Sequence, residues 1–302
     1  MWINPYEKCD LRGIVRSNLH THAGCIDGCA SNPIDAVTSL YERSGYGLLM
    51  ISNHNRYTPM EYFNAPHKSL NFVDGFEYTD ERHMLCVDVK QVFKPEEYDC
   101  QQAIDVTNNA GGFTILCHPN WQHDDFWPVD EMIDLNGYCG IEIYNGGIAR
   151  MKGIGIATKE WDQILSTGKL IWGFATDDFH LMSDACRGYS MILSETNDKK
   201  ACVQAYKDGK HYASSGLKLT NYEIKDGSLN VSATMLNNGT YIDKYFYRFI
   251  GKDGQIILDT YTDHATCPLK DDYGYVRVQV INEDGAMLWT QPVYKQGFFN
   301  SK

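Results

Sequence analysis

Short apolar runs alternate with helix-like segments over the first two thirds of the chain. The runs predict strands at 14–19, 47–52, 70–76, 84–89, 112–117, 140–144, 170–175 and 189–193. Helices are predicted between several of them, at 32–44, 94–110, 129–135, 157–166 and 198–208. Strands that are apolar nearly throughout and alternate with helices are typical of parallel strands covered by helices, in an open sheet or a barrel.

The pattern changes beyond residue 215. Strand-like segments now follow one another, at 217–225, 229–235, 241–250, 255–260, 275–282 and 286–290. Asp226-Gly227, Asp253-Gly254 and Asp284-Gly285 lie between such segments, and Asp-Gly turns between alternating strands are hairpin signals. We therefore predict an α/β domain over 1–215 and a small all-β, sandwich-like domain over 216–302.

Composition is that of an ordinary globular protein, with 43% hydrophobic and 22% charged residues among 302. No apolar run approaches the roughly 18–20 residues that span a membrane. The N-terminus lacks a basic segment followed by an apolar one, so no secretory signal is visible. We expect a cytoplasmic protein without a membrane partner, and the oligomeric state is left open.

The net charge of −12 argues against a nucleic-acid polymer as partner, because such a polymer requires a basic surface. An acidic protein can still bind an anionic substrate if metal ions supply the positive charge. The ten cysteines are scattered and are expected to be reduced. Cys25 and Cys29 form the only close pair, and Cys117 is expected to be a buried apolar thiol.

His20 and His22 are separated by one residue at the end of the first predicted strand. Side chains at i and i+2 of a strand point to the same face, so the two imidazoles would project together. Asp27 follows between Gly24 and Gly28 and could fold back to meet them. Alone, such a His-x-His pair is more often two surface histidines than a metal site.

Metal-binding side chains also stand at the ends of other predicted strands. In parallel α/β folds these carboxyl ends are where functional sites form, and in barrels they converge on one face. The residues are His54 after 47–52, Glu77 after 70–76, His118 after 112–117, Glu142 and Asn145 at the end of 140–144, and Asp178 and His180 after 170–175. The complete set of residues predicts a metal centre, although the His-x-His motif alone does not.

These residues resemble the motifs of the PHP (polymerase and histidinol phosphatase) superfamily of metal-dependent phosphoesterases. The resemblance rests on His20-x-His22 with Asp27-Gly28, Asn53-His54, Glu77, His118-Pro119 and Asp178-x-His180, over roughly residues 10–216. It implies a distorted (β/α)7 barrel with two or three divalent ions in its mouth. Imidazole and carboxylate ligands suit zinc, manganese or iron.

The resemblance also implies roles for single residues. His20, His22, Glu77 and Asp178 would hold the first ion, Glu77 would bridge to a second at His118, and Asp27, His54 and His180 would hold a third. Asn53 stands where the family has an aspartate, and Glu142 and Asn145 stand where some relatives have a histidine. His83 is left open between a ligand, an acid–base group and a packed strand histidine.

The C-terminal segment resembles one found in a PHP branch that includes a carbamate-ester hydrolase, through Tyr275-Val276-Arg277-Val278 and the segment from Trp289 to Tyr294. The expected function is hydrolysis of a phosphate ester of a small metabolite or nucleotide by metal-activated water. The alternatives are carbamate, ester or amide hydrolysis at the same site, and a non-catalytic, metal-stabilised binding protein. The expected catalytic residues are His180, His83 and Asp178, and the expected substrate-binding residues are Arg187, Arg150 and Asn120.

Overall fold

The computed structural model describes residues 1–24, 29–60, 67–121, 126–236 and 244–299. These residues form a mixed α/β fold with helices α1 (Ile34–Arg43), α2 (Cys100–Asn109), α3 (Val129–Asp134), α4 (Thr158–Ser166) and α5 (Lys199–Lys207). Every predicted helix is present, although α2 begins at Cys100 instead of residue 94. Gln102 N donates to Asp99 Oδ1 and Asp99 N donates to Gln102 Oε1, so this capping box sets the start of α2.

The strands of the first part of the chain are β1 (Trp2–Ile3), β2 (Ile14–Asn18), β3 (Leu48–Leu49), β4 (Asn71–Phe72), β5 (Gly75–Thr79), β6 (His83–Val87), β7 (Phe113–Leu116), β8 (Gly140–Asn145), β9 (Trp172–Thr176), β10 (Tyr189–Leu193) and β11 (His211–Ser214). The later strands are β12 (Leu217–Lys225), β13 (Ser228–Met235), β14 (Tyr245–Ile250), β15 (Ile256–Thr262), β16 (His264–Pro268), β17 (Tyr275–Ile281), β18 (Met287–Trp289) and β19 (Val293–Lys295). No helix of the described ranges is long and apolar enough to cross a membrane.

Strands β5 to β9 form a five-stranded sheet in chain order. β7, β8 and β9 are parallel, whereas β6 is antiparallel to both β5 and β7. The strand predicted at 84–89 is therefore not parallel to its neighbours, and the strand predicted at 70–76 divides into β4, which is parallel to β3, and β5, which is antiparallel to β6. Only Asp80, Glu81 and Arg82 connect β5 to β6, and a parallel crossover needs a dozen or more residues.

A larger, eleven-stranded sheet joins the two ends of the chain. Parallel strands β2, β3 and β4 form one side, and antiparallel β10 and β11 connect β2 to β18 and β17. β1 pairs with β19. One apolar core accordingly contains Tyr41 and Tyr212 together with Val231 and Val278. The domain boundary at residue 215 stays a prediction.

The two larger sheets approach each other through single β-bridges, Thr21 with Phe179 and His54 with Glu77. Among the described residues these bridges do not extend into ladders that close a ring, so the predicted (β/α)7 barrel is not confirmed.

The third sheet contains β12, β13 and β16, while β14 and β15 join the eleven-stranded sheet. A separate C-terminal sandwich is likewise not confirmed.

Candidate metal centre

Glu77 lies at the centre of the candidate site, in the middle of β5, and is fully buried. Its Oε1 is 3.4 Å from His20 Nε2, 2.9 Å from His83 Nδ1 and 3.5 Å from His118 Nε2. Its Oε2 is 3.3 Å from His22 Nε2 and 2.8 Å from His54 Nδ1. One carboxylate thus contacts five imidazoles from four separate segments of the chain.

Asp178 is the second carboxylate of this cluster and lies two residues after the end of β9. Its Oδ1 is 3.2 Å from His20 Nε2, 3.6 Å from His22 Nε2 and 3.4 Å from His180 Nδ1. The candidate donor atoms of His20, His22 and Asp178 all lie within 4.8 Å of one another. Their side chains are buried, so a cation placed among them would be largely shielded from solvent.

Left-handed backbone conformations occur at three non-glycine residues of the site. The φ angles are 30° at His118, 49° at Asp178 and 45° at Asn55. Asn55 holds its conformation by exchanging hydrogen bonds with Thr79 at the end of β5. Such conformations cost free energy and tend to cluster at functional sites, where the surrounding structure maintains them.

Asp177, next to Asp178, anchors the segment behind the site. It accepts hydrogen bonds from Tyr41 Oη at 2.8 Å and from the backbone N–H groups of Arg187 and Gly188 at 2.7 and 2.8 Å. Burial raises the pKa of this carboxyl to about 6, although these donors oppose the shift. Asp177 therefore holds the backbone that carries Asp178, while its own side chain points away from the imidazole cluster.

Electrostatics keep the central carboxylates ionised. Burial alone would raise the pKa of Glu77, but His20, His83 and His54 hold it well below its usual range. The pKa of Asp178 is likewise held low against burial, by His20, His22 and His180. Burial lowers the pKa of His83 and of His180, which favours neutral rings, whereas Asp178, Glu142 and Glu77 outweigh burial and raise the pKa of His20. Ionised carboxylates and neutral imidazoles are the forms that bind metal ions.

His83 lies inside the site. Its side chain is 10% exposed, and Nδ1 contacts Glu77 Oε1. The rings of Trp121 and Phe126 pack against it with centroids 5.3 and 5.6 Å away, and both also pack against His118. His83 therefore forms the junction between the imidazole cluster and an aromatic wall.

The predicted substrate-binding residues have other partners. Arg150 forms a two-pronged ion pair with the buried Asp184, at 2.7 and 2.8 Å. Arg187 Nε donates to Ser183 O at 2.7 Å. Asn120 donates to Ile156 O at 3.0 Å, while its buried Oδ1 has no hydrogen bond. A substrate role for all three stays a prediction.

Asn53 bonds twice to the backbone of Ala23, accepting from its N–H at 3.1 Å and donating to its carbonyl at 2.9 Å. These bonds fix the chain directly after His22, a task that suits an amide because it needs both a donor and an acceptor. Asp27, predicted as a ligand, lies outside the described residues.

Two cysteines belong to the site and were not predicted as donors. Cys117 is grouped with His20, Glu77 and His118, and Cys29 with His22, His54 and His180, each set offering ligand atoms within 4.8 Å of one another. Their sequence signal is positional, since Cys117 directly precedes His118 and Cys29 follows His22 at short range. The expectation that Cys117 is buried is confirmed.

The donor set fits divalent cations. His20 Nε2 is buried and has no hydrogen bond, although it faces Glu77 and Asp178. Buried polar atoms are normally paired, and atoms left without partners point to a missing ligand or ion. Imidazole nitrogen and carboxylate oxygen together suit zinc, manganese or iron.

No protein-family model matches the sequence, and no curated protein matches it either. Among solved structures, the fold is similar to that of a two-domain protein from Bacteroides vulgatus ATCC 8482, described as containing a predicted PHP-like metal-dependent phosphoesterase. The TM-score is 0.54 with 15% sequence identity, over 95% of this chain and 89% of that chain. At this identity the similarity shows a shared fold.

Proposed function

We propose that this chain is a metal-dependent hydrolase of phosphate esters that acts on a small phosphorylated metabolite or nucleotide. The observation that carries the proposal is the contact of buried Glu77 with the imidazoles of His20, His22, His54, His83 and His118. No lysine or arginine of the described ranges pairs with Glu77. Burying so many polar groups without cations would cost considerable free energy.

Phosphate esters are favoured by two further observations. The donor residues coincide with the PHP motifs of the sequence, and the fold is similar to a protein described as containing a PHP-like phosphoesterase. The ligand groups also overlap, since Glu77 and His20 each belong to more than one of them. Overlapping groups allow neighbouring ions to share a ligand, and paired divalent ions stabilise the charge of phosphoryl transfer.

The residues divide into three roles. His20, His22, Glu77 and Asp178 would hold one ion, with Glu77 shared with a second at His118, and His54 and His180 would contribute to a third. His83 and His180, at the less buried margin, would donate a proton to the leaving group. Asn120 Oδ1 and the Trp121 ring would contact the remainder of the substrate.

Parallel assays with p-nitrophenyl phosphate, bis-p-nitrophenyl phosphate and p-nitrophenyl acetate, each with manganese, zinc or iron, test the proposal. We expect metal-dependent turnover of a phosphate ester that is lost in Glu77→Gln. Glu160→Gln is the matched control, because Glu160 is buried on α4, which carries no candidate ligand. Metal-dependent acetate hydrolysis without phosphate ester hydrolysis would favour the carbamate, ester or amide alternative. Bound metal without any turnover would favour a binding protein.

A further inference from the structure

Cys29 lies against the imidazoles of three histidines. Its Sγ and one ring nitrogen each of His22, His54 and His180 all lie within 4.8 Å of one another. The ring of His22 stacks on those of His54 and His180, with centroids 4.5 and 4.3 Å apart. These four side chains come from three separate segments of the chain, so only the tertiary structure brings them together.

His180 and His54 each use Nδ1 in a hydrogen bond, so Nε2 of each ring can bind a metal ion. His180 Nδ1 is 3.0 Å from the carbonyl oxygen of Asp178, which can only accept a hydrogen bond. The proton of His180 therefore sits on Nδ1, and Nε2 carries a lone pair. His54 Nδ1 lies 2.8 Å from Glu77 Oε2, which only accepts, and 2.8 Å from Thr79 Oγ1, so its Nε2 carries the lone pair that can bind a metal ion.

The backbone that follows Cys29 is tied to the segment that carries His180. Gly24 N donates to Asn32 O at 2.9 Å, which joins the backbone after His22 to the backbone after Cys29. Asn32 Nδ2 then donates to His180 O at 3.0 Å. Ala30, directly after Cys29, is buried at 1% exposure. The backbone next to Cys29 is therefore tied to the segment of His180 by hydrogen bonds that involve no ligand atom.

We propose that Cys29 supplies a thiolate to a metal position that His22, His54 and His180 complete. The proposal rests on the metal centre of the proposed function, adds a sulfur donor to its third position and reassigns His22 from the first position to the third. One sulfur and three nitrogens suit tetrahedral zinc, whose ligand atoms lie roughly 3.3–3.8 Å apart for ordinary Zn–N and Zn–S bonds. The thiol loses its proton to solvent on binding, and the thiolate makes this position prefer zinc to manganese.

Cobalt substitution provides a test that does not depend on activity. A thiolate bound to cobalt gives a sulfur-to-metal charge-transfer band in the near ultraviolet, which imidazole and carboxylate ligands do not give. We expect this band in the cobalt-loaded protein and expect Cys29→Ser to abolish it. The zinc affinity of this position should also fall by more than about tenfold. Cys100→Ser is the matched control, since Cys100 is half-buried at the start of α2, away from the ligands.

Cys117→Ser separates the two candidate thiols. A band that survives Cys29→Ser and disappears in Cys117→Ser overturns the proposal, and so does the absence of any band at full cobalt occupancy. X-ray absorption of the zinc-loaded wild-type protein should show a sulfur neighbour of the zinc ion. This measurement does not require Cys29→Ser to fold. Phosphate ester turnover without a sulfur ligand would overturn the Cys29 assignment alone. A sulfur ligand without turnover would overturn the proposed function alone.

Discussion

Nδ1 of His20 lies 2.7 Å from Oε1 of Glu142, and both side chains are completely buried. Glu142 also accepts hydrogen bonds from Thr176 Oγ1 at 2.6 Å and from the backbone N–H of His118 at 2.7 Å. The pKa of Glu142 stays below its usual value because His20 outweighs the effect of burial. The ionised carboxylate therefore fixes the proton of His20 on Nδ1 and directs Nε2 toward Glu77 and Asp178.

Substitution of Glu142 by glutamine should weaken metal binding without unfolding the protein. The amide keeps the size of the side chain but removes the charge that orients His20, so we expect metal affinity to fall about 10- to 100-fold. Competition with a chromogenic chelator measures this affinity, and Glu160→Gln serves as the control. Unchanged affinity in Glu142→Gln would show that His20 is not oriented by this carboxylate.

Arg150 should act on the site through Asp184 and not through the substrate. Asp184 accepts from the backbone N–H groups of His180 and Leu181, at 3.0 and 2.8 Å, as well as from the Arg150 guanidinium. We expect Arg150→Met and Asp184→Asn to lower metal affinity by similar factors, since either change loosens the segment that carries His180. A rise in KM confined to Arg150→Met, with metal affinity intact, would instead support direct substrate binding.

The ion pair between Arg277 and Asp162 connects β17 to α4. Arg277 Nε and Nη2 donate to Asp162 at 2.7 and 2.6 Å, and the side chains are only 2% and 9% exposed. Arg277→Met leaves a buried carboxylate without its cation and should reduce the free energy of unfolding by about 3–5 kcal/mol, measured in urea.

The double variant Arg277→Met with Asp162→Leu should recover most of that stability, because no buried charge remains. Arg248→Met is the matched control. Arg248 pairs with Asp259 at 2.8 Å, but both side chains are more than one third exposed, so the loss should be no more than about 1 kcal/mol. Equal losses in the two single variants would contradict the assignment.

His211 should make the free energy of unfolding depend on pH. Burial lowers the pKa of His211 to about 3, and Gln291 Nε2 lies 3.0 Å from its Nε2. Its folded pKa lies below the ordinary value of about 6.5. Neutral His211 therefore makes its full contribution to the free energy of unfolding when the pH is above the ordinary imidazole pKa. This contribution declines as pH falls toward 3, by roughly 1.4 kcal/mol per pH unit. Urea unfolding of His211→Asn between these limits should show a weaker pH dependence than the wild-type protein. Identical slopes would contradict a neutral buried imidazole.

The sequence by itself predicted the helices and most of the residues that meet in the candidate site. Strand ends can be located from apolar runs, and His20, His22, His54, Glu77, His118, Asp178 and His180 follow such runs at short range. The structure brings these residues together, and their metal-binding roles remain proposals. Helix positions were similarly accessible because caps and prolines act within a few residues of the element they begin.

Only the tertiary structure decided how the strands pair and which groups support the ligands. The short β5–β6 connection makes an antiparallel hairpin, and β11 pairs with β18 across more than seventy residues, although neither pairing is marked by local periodicity. Glu142 behind His20 and Cys29 beside His54 and His180 also depend on contacts between distant segments. Apolar and polar patterns report which side chains are buried, but the partner of a buried polar group is set by packing.

The role of the His20-x-His22 pair therefore depends on more than the spacing of its two histidines. Spacing predicts that two imidazoles share a face of the chain. Packing decides that His20 turns toward Glu77 and Asp178, held from behind by Glu142, while His22 stacks between His54 and His180. The physical reason is that strand geometry fixes the direction of a side chain, whereas charges and hydrogen bonds from other segments fix what it meets.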